Sequence, residues 1–96
     1  MKQLSNIFNL QSKVIVVTGA SGLLGRKHVE AIAAYGGTPI LIDLSLQILK
    51  KQTDELNEKY NTNATGYAVD ITDEKKVSLN VTHVIKKYGK IDGLVN

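Results

Sequence analysis

Three glycines near the start of the chain have the spacing of a phosphate-binding turn. They follow the apolar run 14–17 closely, within the segment Thr18-Gly19-Ala20-Ser21-Gly22-Leu23-Leu24-Gly25. Gly19 permits a tight turn, Gly22 lets the backbone approach a pyrophosphate, and Gly25 lets the next helix pack closely on the strand. The amides of that helix's first turn have no partners within the helix and would face the phosphates. A glycine triplet alone also fits a simple tight turn, so the flanking elements decide between the two interpretations.

An acidic residue follows the glycines at the distance that a dinucleotide site requires. Asp43 lies directly after the apolar run 40–42, roughly 20 positions beyond the third glycine. A carboxylate there can accept hydrogen bonds from the ribose hydroxyls of adenosine and would repel a 2′-phosphate. Leu44 and Ser45 bring no positive charge to offset that repulsion. The sequence therefore predicts NAD as the cofactor in preference to NADP.

Strands and helices alternate around these residues. Strands are predicted at 13–18, 38–43, 64–69 and 91–96, and helices at 22–35, 46–60 and 73–88. The β-branched run of the first strand is typical of a parallel strand buried on both faces. Because a strand precedes the glycine turn and a helix follows it, dinucleotide binding is favoured over a simple turn.

Polar residues and glycines mark the ends of the predicted helices. Gly36-Gly37 and Gly89 are expected to end the first and third helices, and Ser45 to cap the second. Thr72 is the predicted N-cap of the third helix. Two acidic residues follow it, and their negative charges interact favourably with the positive end of the helix dipole. Leu46, Leu49 and Leu56 of the second helix are predicted to face inward. In the third helix, helical spacing is shown by Val77, Val81, Val84, Ile85 and Tyr88.

This order of elements predicts an α/β fold. Strands joined by helical crossovers in one sheet are parallel, and the crossovers are right-handed. The expected architecture is a three-layer, Rossmann-like half with strand order 3-2-1-4 and helices on both faces of the sheet. The chain reverses direction across the sheet between strands 1 and 4, which creates a crevice at the carboxyl ends of the strands where such folds hold their ligands.

Four segments together resemble the short-chain dehydrogenase/reductase family from Ile7 onward. Besides the glycine segment they are Phe8-Asn9-Leu10 ahead of Lys13-Val14, Asp70-Ile71-Thr72 after the third strand, and Ile91-Asp92-Gly93-Leu94-Val95-Asn96. The resemblance implies that the Asp70 carboxylate meets the adenine amino group and the next backbone amide a ring nitrogen. Asn96 stands where the family's Asn-Asn-Ala-Gly motif begins. The residues expected to bind the cofactor are Gly19, Ser21, Gly22, Leu23, Leu24, Gly25, Asp43, Leu44, Asp70, Ile71 and Asn96.

One position departs from the family's shorter-chain pattern. That branch usually has Thr-Gly-x-x-x-Gly-x-Gly, which would place glycine where Leu23 stands. The observed spacing instead matches the extended branch, which contains many nucleotide-sugar epimerases and dehydratases. Asn96 fits the shorter branch, and spacing within a glycine loop can vary without loss of the phosphate contacts. The shorter branch is therefore favoured, with an extended-branch epimerase or dehydratase as the alternative.

The family's catalytic residues find no match in this chain. A Ser polarises the substrate carbonyl in that family, and a Tyr-x-x-x-Lys pair handles the proton. The residues four positions after the tyrosines are Pro39, Ala64, Ile71 and Asp92. His28 and His83 lie on amphipathic helices and are interpreted as structural. No catalytic residue is assigned.

Two hypotheses therefore remain for the chain as a whole. Residues 1–96 are either one dinucleotide-binding domain cut before the catalytic half of an NAD-dependent oxidoreductase, or a natural nucleotide-binding module without redox chemistry. The first is favoured, because the sequence stops inside an apolar strand and one residue into a family motif. The intact protein is expected to transfer hydride between NAD(H) and an alcohol or carbonyl substrate, and this chain alone to be inactive. An uncovered fourth strand favours self-association.

Composition excludes several other classes of protein. The net charge of +3 is spread over separate lysine pairs, whereas a nucleic-acid binder concentrates such residues. The absence of cysteine excludes disulfides and thiolate metal sites. No run has the length or continuity of a signal peptide or membrane span. The sequence predicts a cytoplasmic protein with no nucleic-acid, membrane or metal partner.

Overall fold

The computed structural model describes residues 9–96, so Phe8 of the predicted lead-in lies outside the described residues. Strands and helices alternate along that part of the chain. The strands are β1 (Val14–Thr18), β2 (Thr38–Asp43), β3 (Thr65–Ala68) and β4 (Gly93–Val95), and the helices are α1 (Leu23–Ala34), α2 (Leu46–Tyr60) and α3 (Glu74–Tyr88). Every predicted element is present. β4 is shorter than the predicted strand 91–96: Ile91 and Asp92 precede it and Asn96 follows it.

The four strands form one parallel sheet in the order β3-β2-β1-β4. β1 lies at the centre, with Val16 opposite Ile40 of β2 and Leu94 of β4. The predicted strand order is therefore confirmed. All four strands end at the same edge of the sheet, because parallel strands share a direction.

Apolar side chains alternate between the two faces of the sheet. One face carries Val17 and Leu41 into a cluster with α1 and α2, where Val29 and Leu49 are also buried. The other face carries Val14, Ile40 and Ile42, which pack with Val84 of α3. The fold thus has three layers, and the glycine segment that joins β1 to α1 is held between two packed elements.

The helix α3 is covered less completely than the other two helices. Val84 is its one fully buried residue, whereas Val81 is 45% and Ile85 41% exposed. Val81 lines a groove between α3 and the sheet, and Ile85 is not among the groove's lining residues, so the helical spacing of these apolar residues does not correspond to a fully buried face. Leu46 was predicted to face inward but is 57% exposed, since it occupies the first position of α2 beyond the sheet edge.

The N-cap of α3 also differs from the prediction by one residue. The Asp73 side chain caps this helix by accepting a hydrogen bond from the Lys76 amide at 3.2 Å. Thr72 instead donates its amide and its hydroxyl to the Asp70 carboxylate. Both residue types are good caps, and the bond to Asp70 decides between them. Ser45 caps α2 as predicted, by accepting from the Ile48 amide.

Candidate functional site

The residues predicted to bind a ligand all lie at or beyond the carboxyl ends of the strands. The glycine segment follows β1, Asp43 ends β2, Asp70 follows β3 and Asn96 follows β4. This edge is where α/β proteins with this strand order bind their ligands. The fold therefore brings to one edge residues that are separated by most of the chain.

The glycine segment forms a tight loop around the carbonyl of Gly19. Gly19 has a φ of +63°, a backbone conformation that favours glycine. The Gly22 amide donates to the Gly19 carbonyl at 3.1 Å. A Cβ on Gly25 would overlap the carbonyl of Gly19 and approach the Cα of Ala20 to 2.9 Å. Gly25 therefore lets α1 pack closely against the loop itself, rather than against the strand as the sequence predicted.

The N-terminus of α1 is left open by the chain. Gly22 is its N-cap, no side chain within residues 9–96 makes a capping hydrogen bond to it, and its first turn has no acidic residue. Leu23 and Leu24 in that turn are 82% and 65% exposed. Helix N-termini carry free amides and a partial positive charge, which together bind anions. The loop and the helix end thus fit a phosphate group in both shape and charge.

Asp43 is joined directly to this loop. Its Oδ2 accepts hydrogen bonds from the Ser21 hydroxyl at 2.6 Å and from the Ser21 amide at 3.0 Å, and its Oδ1 accepts from the Leu44 amide at 2.8 Å. The hydrogen bond from the Ser21 hydroxyl is the main reason why the pKa of Asp43 lies below its ordinary value, against the opposing effect of partial desolvation. The carboxylate is therefore ionised at neutral pH and keeps lone pairs for a further donor.

A second acidic turn follows β3. Asp70 accepts the two hydrogen bonds from Thr72, and the Thr72 hydroxyl is the main reason why the pKa of Asp70 is lowered. Ile71, which lies between them, is 56% exposed. The turn therefore presents an ionised carboxylate and the backbone of Ile71 at the edge where the glycine loop also lies.

At the end of β4, Asn96 meets the end of β1. The Thr18 hydroxyl donates to Asn96 Oδ1 at 2.9 Å. An apolar groove of about 410 Å³ begins beside these residues and Ile71, and continues beneath α3 along Val77, Val81 and Leu94. Leu44, on the opposite side of the loop, is 71% exposed. The predicted site residues thus surround the glycine loop on both sides.

Two residues that contact the loop, Gln52 and Arg26, were not predicted from the sequence. Gln52 of α2 is buried, and its side-chain Nε2 donates to the Ala20 carbonyl at 2.8 Å. The signal was present in the sequence, since Gln52 is a polar residue at an inner position of an amphipathic helix. Arg26 also contacts the loop, with its Nε donating to the Ser21 carbonyl at 2.9 Å.

Neither a metal-binding cluster of side chains nor a long apolar helix occurs in the described part of the chain. Residues 9–96 contain no group of three or more histidine, cysteine or acidic side chains that could hold a metal ion. Over the same residues, no helix combines the length and the apolar character that crossing a membrane requires.

Comparison with known proteins identifies the family. A family model described as short chain dehydrogenase matches residues 13–96, which is most of the chain. The chain belongs to the short-chain dehydrogenase/reductase family, as its motifs indicated. The comparisons do not favour the alternative of an extended-branch nucleotide-sugar enzyme.

Three of the relatives are named as dehydrogenases or reductases of sugars or sugar alcohols. An NADP-dependent mannitol dehydrogenase from Alternaria alternata is 31% identical over 93 residues, which cover 94% of this chain and 35% of that protein. The NAD⁺-bound xylitol dehydrogenase structure is 34% identical with a TM-score of 0.83, over 88% of this chain and 32% of that one. L-sorbose reductase from Gluconobacter frateurii, in complex with NADPH and L-sorbose, is 29% identical with a TM-score of 0.88, over 93% of this chain and 34% of that one. The chain spans about a third of the length of these relatives.

Proposed function

We propose that this chain is the dinucleotide-binding portion of an NAD-dependent short-chain dehydrogenase/reductase. The observation that carries the proposal is the hydrogen-bonded pair formed by Asp43 and Ser21 beside the open N-terminus of α1. The pair puts a carboxylate, suited to ribose hydroxyls, next to amides suited to a pyrophosphate. The intact protein would transfer hydride between NAD(H) and an alcohol or carbonyl substrate.

Each part of the cofactor has a partner in this proposal. The pyrophosphate approaches the backbone at Gly22 and lies on the amides of Leu23 and Leu24 in the first turn of α1, since the Gly22 amide donates to the Gly19 carbonyl. The adenosine ribose donates its hydroxyls to Asp43, and Leu44 packs near the adenine. Asp70 and Ile71 bind the adenine ring edge on the other side, and Asn96 lines the path of the cofactor along β4. The nicotinamide, when bound, supplies the hydride.

The preference for NAD depends on the charges around Asp43. Its ionised carboxylate would repel a 2′-phosphate, and neither Leu44 nor Ser45 is basic. Arg26 also contacts this loop and keeps its charge while its Nε donates to the Ser21 carbonyl, so the preference rests on Asp43 as the charged group that the ribose itself meets. The relatives include proteins with either cofactor, since the xylitol dehydrogenase has NAD⁺ bound and the sorbose reductase has NADPH bound. The local charges of this chain favour NAD.

A titration of both cofactors tests this preference. We expect NADH to bind more tightly than NADPH. Asp43→Ala should narrow this difference in affinity, because it should weaken NADH binding and strengthen NADPH binding. Asp54→Ala is the control, because Asp54 is an exposed carboxylate of α2 whose recorded ion pair, at 4.0 Å, is with Lys50. Equal affinities for the two cofactors in the unmodified protein would contradict the preference. If neither cofactor bound, the dinucleotide site itself would be wrong.

The chain alone should have no dehydrogenase activity. Proton transfer to or from the substrate oxygen requires a positioned acid or base, and no Tyr-x-x-x-Lys pair is present. An assay of NADH consumption with a panel of aldehydes and ketones should give the background rate. Turnover above that rate would show that residues of this chain act as the acid and base.

We also propose that the chain self-associates through β4. Within residues 9–96, no strand pairs with the outer edge of β4, and Leu94 on this strand is 61% exposed. Unpaired strand edges beside apolar surface readily pair with a second copy. Sedimentation at several concentrations should show a mass that increases with concentration. A monomer at every concentration would contradict this proposal and leave the cofactor site unaffected.

A further inference from the structure

Gln52 is a polar residue in the apolar inner surface of α2. It is 6% exposed and belongs to the buried side of the helix with Leu49, Thr53 and Leu56. Its Nε2 donates to the Ala20 carbonyl, while its Oε1 has no hydrogen-bond partner in the part of the chain that the structure describes. A buried polar atom without a partner costs stability. A methionine of similar size would avoid that cost, so the residue's value lies in its donor.

The orientation of this amide is determined by its partner. The Ala20 carbonyl can only accept a hydrogen bond, so the amino group of Gln52 must face it. The same carbonyl belongs to the peptide unit that carries the Ser21 amide, because these two groups are the two sides of one planar bond. The Ser21 amide donates to Asp43 Oδ2 at 3.0 Å. Gln52 and Asp43 therefore hold opposite sides of a single rigid peptide.

We propose that Gln52 is a positioning residue that sets the cofactor preference through this peptide, held between the Gln52 amide and the Asp43 carboxylate. The inference rests on the proposed function, because it concerns the same dinucleotide site. Gln52 fixes the plane of the Ala20–Ser21 peptide from α2. The peptide in turn fixes Asp43 where a ribose would meet it, and it fixes the start of the loop that leads to the amides of α1.

The proposal makes Gln52 different from its neighbour Thr53. Thr53 is also 6% exposed, but its hydroxyl donates to the Lys50 carbonyl within α2 and does not contact the loop. Thr53→Val therefore removes a buried polar atom from the same helix without affecting the peptide. It is the matched control for a merely structural effect of Gln52.

The first test compares Gln52→Met with Thr53→Val in titrations of NADH and NADPH. Loss of one positioning hydrogen bond should weaken NADH by about three- to tenfold and reduce the ratio of NADH to NADPH affinity. Thr53→Val should leave both affinities and their ratio unchanged. In an Asp43→Ala background, Gln52→Met should not reduce the ratio further, because coupled residues are not additive. An unchanged ratio in folded Gln52→Met, or additive effects with Asp43→Ala, would overturn the proposal.

A second variant keeps the proposal testable if Gln52→Met does not fold. Glu at position 52 can donate to the Ala20 carbonyl only when protonated, and burial raises the pKa of a carboxyl group. NAD⁺ affinity of Gln52→Glu, measured by calorimetry, should therefore improve as the pH falls from about 8 to about 5, whereas the unmodified protein should change little. Asp43, with its lowered pKa, stays ionised over that range. Identical pH profiles would overturn the proposal. Absence of binding in the unmodified protein would instead contradict the proposed function.

Discussion

The three helices of this chain begin in two different ways. α2 and α3 begin with a side chain that caps their free amides, Ser45 in one and Asp73 in the other. α1 begins at Gly22, which has no side chain to cap with, and within the described residues no other side chain takes that role. The chain thus satisfies two helix ends from its own residues and leaves the third available. The difference separates an end that serves stability from an end suited to a ligand.

Charge follows the same division only in part. Glu74 lies in the first turn of α3, where a negative side chain stabilises the helix dipole, and the first turn of α1 has no acidic residue. The first turn of α2 also lacks an acidic residue, so the missing side-chain cap, and not the charge, is the departure that α1 alone shows among these three helices. Such departures are expected at functional sites, where the surrounding structure compensates for them. Here the compensation comes from the loop, which is bonded to Asp43, Gln52 and Arg26.

The largest effect is expected where α1 meets the loop. Gly25→Val would place a side chain into the Gly19 carbonyl, which is backbone and cannot move away cheaply. We expect the free energy of unfolding to fall by about 3 kcal/mol or more and dinucleotide binding to be lost. Gly93→Ala is the control, since its Cβ would make an ordinary contact of 3.8 Å with Ile15. Urea unfolding of both variants measures the difference, and equal stabilities would contradict the close packing of α1 on the loop.

Next in size is a change that makes α1 resemble the other helices. Gly22 has an ordinary extended backbone, so Gly22→Asp can supply the missing cap if the Gly19 carbonyl oxygen, 3.3 Å from the new Cβ, shifts by a few tenths of an ångström. Its charge would repel phosphate, and its side chain would occupy the cradle. We expect NADH affinity to fall by at least about tenfold, while the stability changes by no more than about 1 kcal/mol.

Gly22→Val should also abolish binding while the circular dichroism spectrum is retained, because it fills the same space without adding charge. Calorimetry with NADH measures the affinity of both variants. Undiminished binding in folded Gly22→Asp or Gly22→Val would contradict the glycine-loop site.

The capped helices should respond in the opposite way. Asp73→Ala and Ser45→Ala each remove a cap and should lower the free energy of unfolding by about 1 kcal/mol. Neither residue is at the proposed phosphate site, so NADH affinity should stay the same. Thermal unfolding and a NADH titration on the same samples check both statements. If the free energy of NADH binding fell by more than the free energy of unfolding, these helix ends would belong to the site as well.

The sequence predicted the architecture because its signals are local. Alternating apolar runs and glycine punctuation specify the elements, and crossover handedness then leaves few arrangements of the sheet. The contacts that hold the loop were less accessible. Gln52 meets Ala20 across 32 positions and Ser21 meets Asp43 across 22, so no window of sequence shows them. The choice of Asp73 over Thr72 as a cap likewise required the bond from Thr72 to Asp70, because both residues suit the position.

The smallest expected effect concerns the acid side of the stability curve. The pKa of Asp43 is lowered chiefly by the Ser21 hydroxyl, from an ordinary value of 3.8. Because the pKa of Asp43 is lower in the folded than in the unfolded protein, the bond stabilises the fold at any pH above the unfolded-state pKa. This stabilisation is lost as the pH falls through the folded-state pKa. Ser21→Ala should therefore raise the pKa of Asp43 towards 3.8 and make unfolding less sensitive to pH below about 4.

A carbon-detected NMR titration of the Asp43 carboxyl group measures this shift directly. Asp70 is the internal reference, because its pKa is lowered by Thr72 and not by the loop. Its titration should be the same in the unmodified protein and in Ser21→Ala. If the pKa of Asp43 is the same in the variant, the Ser21 hydroxyl does not hold the carboxylate. The loop before α1 would then be joined to the Asp43 carboxylate chiefly through the Ser21 amide.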